Sequence, residues 1–158
     1  MAPDGSAMQI EKIVLQTNLL RLEPLAATHL PGLAAAIHDG ALWASPWTTV
    51  PHPDRLPDFL AAADAQFVAG RELAFASIDV TTGAVAGSTR FRQIDGQHRR
   101  VEIGSTFIAR RWQRTHVNTD AKFLMLQHAF DPWRCIRVEL LTDVLNSPSR
   151  AAIIRLGA

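Results

Sequence analysis

VEIGSTFIARRWQRTHVNTDAKFLMLQHAF, residues 101–130, is the stretch that decides how the chain folds. Residues 101–108 are rich in β-branched types, which predicts a strand. Gly104 lies inside this strand, and a glycine there indicates a bend or bulge where a ligand or another backbone comes close. Between Val117 and Phe130 apolar residues recur at helical spacing, so the stretch reads as a strand, a polar connection and a helix.

The helix in this stretch is predicted to be amphipathic. Lys122 and Gln127 are expected on one side. The apolar residues are expected on the other, which would pack against the sheet; they are Ala121, Leu124, Met125, Ala129 and Phe130.

The connection between strand and helix is a candidate anion site. The first amides of a helix lack internal partners, and the helix dipole adds partial positive charge there. Arg110, Arg111 and Arg114 bring full charges to the same place. A solvated loop whose arginines only keep it soluble explains the pattern about equally well. The lack of glycine also argues against a tight grip on phosphate, so both interpretations stay open.

The composition bounds the class of protein. The chain has 158 residues, 47% hydrophobic and 20% charged, which suits one globular domain. A net charge of +1 argues against bulk binding to nucleic acid or membrane. Cys135 is alone, which excludes an internal disulfide and favours a small buried side chain. The six histidines lack paired spacing for zinc, and no apolar run suits a membrane span or a signal peptide, so the cytoplasm is predicted.

The rest of the chain predicts a mixed α/β sheet. Residues 1–12 are expected to form a disordered leader, and 13–24 to form two short strands or one bent strand. The expected element order, β-α-α-β-β-β-α-β-α, implies helices on both faces of the sheet. Trp43 and Trp47 lie in a proline-rich loop, where they either line a cleft or plug the edge of the core.

A family resemblance rests on two motifs. QRTHVN, residues 113–118, looks like the pyrophosphate-binding signature of the GCN5-related N-acetyltransferases, Gln/Arg-x-x-Gly-x-Gly/Ala. The longer run W-Q-R-T-x-V-N-T-(D/E)-A-K resembles the branch that acetylates ribosomal-protein N-termini at serine or alanine. RVELLTDVLNSPSRAAIIRLGA, residues 137–158, is similar to the family's strand, Asn-x-x-Ser-Arg turn and Leu-Gly helix end. His116 and Asn118 depart from the signature, which prefers Gly and a small residue at those places.

The resemblance implies a fold and a cofactor. It implies a central, mostly antiparallel sheet that is splayed where acetyl-coenzyme A, the acetyl donor, binds. The pantetheine arm of the donor would pair with exposed strand backbone, and the diphosphate would sit on the helix amides. The implied cofactor-binding residues are Phe107, Ile108, Ala109, Gln113, Arg114, Thr115, His116, Val117, Asn118, Thr119 and Asn146.

The implied reaction is attack of a primary amine on a thioester. A protonated amine has no lone pair, so a base or a water chain must take its proton, and Glu102 is the candidate base. A strand glutamate paired with an arginine is the competing interpretation. The family also uses a backbone N–H near Phe107 for the oxyanion. The chain has no tyrosine to protonate the leaving thiolate, and the resemblance gives that place to Ser149. Helix capping is the competing role for Ser149 and Asn146.

The resemblance also carries expectations about the whole protein. Family members continue past the Leu-Gly helix end with two more strands, so residues 13–158 are expected to be one acetyltransferase domain truncated at its C-terminus. The strand at 137–144 would be an exposed edge, which makes a homodimer reasonable. The leading prediction is an N-acetyltransferase acting on a protein N-terminus or a small amine. The alternatives are a non-catalytic coenzyme A-binding module and a binding protein for another phosphate ligand.

Overall fold

The sheet and helices follow the predicted order. The computed structural model describes residues 8–158. The strands are β1 Leu15–Gln16, β2 Leu20–Pro24, β3 Leu73–Asp79, β4 Val85–Asp95, β5 Arg100–Ile108 and β6 Arg137–Leu140. The α-helices are α1 Leu30–His38, α2 Leu56–Val68, α3 His116–Phe130 and α4 Ser147–Arg155.

The six strands form one sheet in the order β1-β2-β3-β4-β5-β6. Neighbouring strands are antiparallel except β5 and β6, which run parallel because α3 forms the crossover between them. Helix α3 packs on one face, where its apolar residues join Phe75 and Phe91 in the main core. Helices α1 and α2 cover the other face around Ala76. The mixed sheet with helices on both faces is therefore confirmed.

The N-terminal strand is two short strands. Thr17 Oγ1 accepts hydrogen bonds from the amides of Leu19 and Leu20, at 3.1 and 3.0 Å, which closes the turn between β1 and β2. Of the predicted leader, residues 1–7 lie outside the described part of the chain. Residues 8–12 form no helix or strand but lie against the core, because Trp133 Nε1 donates to the carbonyl of Gln9 at 3.0 Å.

Helix α3 differs from the predicted amphipathic pattern at two residues. Ala121, Leu124 and Met125 are buried as expected. Phe130 is 47% exposed, although it was placed on the apolar side, and Lys122 is only 6% exposed, although it was placed on the opposite side. Both predictions were wrong, for different reasons. Phe130 is the last residue of α3, where the helix ends, and its ring stays exposed. Lys122 is buried because its side chain lies against β5, where Nζ donates to Thr106 Oγ1.

Two further sequence-based expectations concern the core and the membrane. Cys135 is buried in the main cluster, and burial raises the pKa of its thiol, as expected for a packing residue. None of the helices between residues 8 and 158 combines the length and apolar character needed to cross a bilayer.

The close approach of β4 and β5 depends on Gly87. A Cβ atom on Gly87 would overlap the carbonyl oxygen of Phe107 on β5. We expect Gly87→Ala to lower the free energy of unfolding by about 3 kcal/mol, because overpacking against a backbone atom cannot be relieved by a side-chain rotation. Chemical denaturation measures this. Gly96→Ala is the matched control, since a Cβ there comes no closer than 3.5 Å to Met8, and an equal loss in both variants would contradict the expectation.

Candidate active site

Strands β5 and β6 part after four residue pairs. They are in register from Arg100 and Arg137 to Ile103 and Leu140, and no pair follows among the described residues. Residues 104–108 of β5 therefore present backbone groups to the gap on that side. Buried backbone N–H and C=O groups require partners, so the gap suits a ligand that carries amides of its own.

A bulge accompanies the parting of the strands. Gly104 still pairs with Arg90 on β4, and the register shifts between this pair and the next, Phe107 with Ser88. Ser105 lies in the extra segment with a φ of 48°, a left-handed conformation that costs a non-glycine residue on the order of 1 kcal/mol. The bulge predicted at Gly104 is thus located one residue later. Its position beside the gap is typical of a functional site.

A cleft of about 810 Å³ opens where the strands part. Strand β5, the start of α3, the segment that follows β6, and α4 form its walls, and residues 47–49 close one side. The charged side chains that line it are all cationic: Arg92, Arg114, Lys122 and Arg155. No aspartate or glutamate between residues 8 and 158 belongs to the lining. The cleft therefore fits an anionic ligand.

The start of α3 offers free amides at the mouth of this cleft. The N–H groups of Arg114, Thr115 and His116 find no acceptor within the described chain. Thr115 is the N-cap, and its Oγ1 accepts from the Val117 amide at 3.4 Å. The cap occupies one of the amides that the resemblance assigned to the diphosphate. Arg114 has a φ of 59°, a left-handed conformation that glycine favours. The loop therefore adopts this conformation although it contains no glycine.

Two polar side chains of the 113–118 motif bind protein groups. Gln113 Nε2 donates to the carbonyl of Ile108 at 3.0 Å, which ties the loop to the end of β5. His116 Nε2 lies 3.0 Å from Asp79 Oδ1 at the end of β3, without hydrogen-bond geometry. The imidazole therefore neighbours a buried carboxylate and is not part of the cleft wall.

The structure brings about half of the predicted site residues to the cleft. Those that line it are Ile108, Gln113, Arg114, Asn118, Asn146 and Ser149. Those that do not are Glu102, Phe107, Ala109, Thr115, His116, Val117 and Thr119. Four of the residues outside the lining are buried in the fold: Glu102, Phe107, Ala109 and Val117.

The part of β5 that lines the cleft extends further toward the start of the strand than the predicted residues. The amide of Ala109 donates to the carbonyl of Ala86 at 2.8 Å, so that group is already paired with β4. Phe107 is buried on the α2 side, with its ring centroid 6.1 Å from that of Phe59. Residues 103–106 line the cleft together with Ile108.

Glu102 lies beneath the cleft wall. Its side chain is 8% exposed, and its Oε1 atom is 3.5 Å from Arg92 Nε. Burial raises the pKa of this carboxyl, Glu139 and Glu72 raise it further, and Arg92 opposes them. A raised pKa suits a general base that must accept a proton near neutral pH. The ion pair with Arg92, the competing interpretation, is also present.

The same ion pair explains why residue 104 is a glycine. A Cβ atom on Gly104 would lie 3.0 Å from Glu102 Oε1 and 3.2 Å from Arg92 Cδ. The absence of a side chain therefore leaves room for these two groups to meet beside the bulge. The sequence predicts the approach of a ligand or another backbone at this glycine, and Gly104 also lines the cleft.

Asn146 and Ser149 lie together at the start of α4. Asn146 Oδ1 accepts from the Ser149 amide at 3.3 Å, which is an N-cap interaction. The capping role is thus present for Asn146. The Ser149 hydroxyl has no partner among the described residues and its side chain belongs to the cleft wall. Capping and contact with a ligand are compatible here.

Two charged residues of the cleft wall, Lys122 and Arg92, were not predicted as site residues. Lys122 belongs to the quoted W-Q-R-T-x-V-N-T-(D/E)-A-K run, but the helical wheel placed it away from the core. Arg92 is one of 14 arginines in the sequence and lies in no motif that would single it out. The two alternatives for the tryptophans divide between them: Trp47 lines the cleft, and Trp43 packs against the second core cluster.

The order of the strands and the parted β5–β6 pair define a mixed α/β fold with a cleft between two parallel strands. A family model, the Acetyltransferase (GNAT) domain, matches residues 20–158. The chain therefore belongs to the GNAT acetyltransferase family. A search of the curated proteins finds no match.

Solved structures support the same assignment. A GCN5-related N-acetyltransferase from Brucella melitensis is 31% identical, with a TM-score of 0.81 over 93% of this chain and 67% of that one. A provisionally assigned ribosomal-protein-serine acetyltransferase from Vibrio cholerae has a TM-score of 0.80 at 20% identity, over 95% of this chain and 85% of that one. RimJ from Mycobacterium smegmatis, solved with CoA-disulfide, has a TM-score of 0.75 at 20% identity, over 92% of this chain and 73% of that one. The latter two likenesses concern the fold alone.

Proposed function

We propose that this protein transfers an acetyl group from acetyl-coenzyme A to a primary amine by direct attack, without a covalent enzyme intermediate. The observation that carries the proposal is the cationic cleft between β5 and β6, beside the free amides at the start of α3. A pantetheine arm would supply amides to the parted strand, and a diphosphate would meet Arg114 and the helix start. The RimJ neighbour was solved with a coenzyme A derivative, which supports the choice of donor.

The acceptor in this proposal is a protein N-terminus or a small amine. The name of the Vibrio neighbour, a ribosomal-protein-serine acetyltransferase, supports a protein acceptor. Glu102 would take the proton of the amine, directly or through water, and Arg92 would move to open the path. Ser149 would protonate the departing thiolate of coenzyme A, since its hydroxyl lines the cleft. A backbone amide at the bulge would stabilise the oxyanion.

Two measurements test the proposal in order. Calorimetry with coenzyme A should show binding, and ADP and inorganic phosphate should bind more weakly because they lack the pantetheine arm. Release of free thiol from acetyl-coenzyme A should then rise with an amine panel that includes peptides beginning with Ser or Ala. Equal affinity for all three anions would favour a different phosphate ligand.

A non-catalytic coenzyme A-binding module is the second candidate. The burial of Glu102 beneath Arg92 and the lack of any tyrosine favour it. This candidate predicts binding of coenzyme A without thiol release above the uncatalysed rate for any amine. Ser149→Ala serves as the control, because it should reduce thiol release in an enzyme and change nothing in a binding module.

A further inference from the structure

Lys122 is a buried cation that no part of the proposed mechanism uses. It is one of only two lysines in the sequence, beside 14 arginines. The residue is 6% exposed, and its Nζ atom donates to Thr106 Oγ1 at 3.2 Å. It forms no ion pair with any carboxylate between residues 8 and 158. Because an ammonium group has three donors, two of them find no acceptor among residues 8–158.

The position of the amine is fixed at the bulge. Thr106 lies in the bulged segment of β5, and its hydroxyl also shares a 2.8 Å hydrogen bond with Thr89 Oγ1 on β4. Both Lys122 and Thr106 line the cleft. Thr106 precedes the end of β5 by two residues, so the amine lies about 7 Å along the strand from the loop that leads to α3. The amine is therefore inside the cleft rather than at its mouth.

Burial without a counter-ion carries a cost. Desolvation lowers the pKa of Lys122 to about 8, and no charged neighbour offsets this. An apolar side chain of similar length would avoid the cost in a helix that packs against the core. A group that destabilises the empty protein and points unused donors into a cleft is typical of a binding function.

We propose that Lys122 Nζ donates hydrogen bonds to a carbonyl oxygen of the pantetheine arm of the acyl donor. The inference rests on the proposed function. A carbonyl acceptor would complete the coordination of the amine that Thr106 begins, and it would hold the arm against the unpaired edge of β5. The diphosphate would be bound separately, at Arg114 and the start of α3.

The test compares two ligands with Lys122→Met, which keeps the length of the side chain and removes the amine. Coenzyme A carries the pantetheine arm and ADP lacks it. We expect the Kd for coenzyme A to rise about tenfold and the Kd for ADP to change less than twofold. The melting temperature of the empty variant should rise by about 3 °C or more, because the buried cation is gone. Lys12→Met is the matched control, since Lys12 is the other lysine and is half exposed.

Other outcomes overturn the inference in distinguishable ways. An unchanged Kd for coenzyme A would make Lys122 a packing residue, and an equal loss for both ligands would place its effect at the diphosphate. A lower melting temperature of the empty variant would show that the amine stabilises the fold. Lys122→Gln, which retains an N–H donor, should recover part of the affinity if folding of the methionine variant is impaired. Wild-type protein that binds no coenzyme A would instead refute the proposed function itself.

Discussion

Replacing Glu102 by glutamine should lower kcat for amine acetylation by about 100-fold, because the amide cannot accept the proton of the attacking amine. The pH dependence gives a second readout. Burial raises the pKa of Glu102, so wild-type activity should fall as pH falls through a value above that of an ordinary glutamate. This decrease in activity at low pH should be absent in the variant, whose rate would depend on pH only through the ionisation of the amine substrate.

A matched control for this variant is available on the neighbouring strand. Glu139 is the register partner of Glu102 in the parallel β5–β6 pair, and it contacts Arg137 at 2.9 Å. Glu139→Gln should leave kcat unchanged. It should shift the decrease in activity to lower pH, because Glu139 raises the pKa of Glu102. If Glu102→Gln retains activity within threefold but melts earlier, its carboxylate serves the ion pair with Arg92 and not catalysis.

Replacing Phe91 by alanine should lower the free energy of unfolding by about 3–5 kcal/mol and the melting temperature by about 10 °C. Phe91 is fully buried on β4 at the centre of the main core. Its ring centroid lies 4.6 Å from that of Trp133 and 5.9 Å from that of Phe75. The substitution would leave a cavity between the sheet and the segment that follows α3. Denaturant titration and calorimetry measure the loss.

Phe123 provides the comparison for Phe91. It lies on α3 and is 58% exposed, so Phe123→Ala removes the same atoms without opening a cavity. That variant should change stability by less than about 0.5 kcal/mol. Similar losses at both positions would mean that the core is not organised around Phe91.

The architecture was predictable because each element carried its own signal. Residues 101–130 encode a strand and a helix through periodicity and composition, and the three-strand order before α3 followed from turn residues. The parting of β5 and β6 was implied only by the family resemblance. The pairing of two strands depends on contacts distant in sequence, and no local pattern records where that pairing stops.

The sequence predicted which segments form the site, but not which of their side chains face the cleft. The 113–118 motif does lie at the cleft mouth, yet His116 turns toward Asp79 and Thr115 caps the helix. Lys122 was not predicted as a site residue because charged residues usually lie on the surface, and a buried lysine is rare. Local rules fail where a functional group is held at a cost to stability, and Lys122, Ser105 and Arg114 are residues of that kind.

The charges lining the cleft favour an order of binding. Arg92, Arg114, Lys122 and Arg155 repel an ammonium group while the cleft is empty. A donor with several phosphate charges would reverse the local potential, and a cationic amine could then approach. We therefore expect the acyl donor to enter before the acceptor, so that both substrates occupy the protein together and neither leaves a modified enzyme behind.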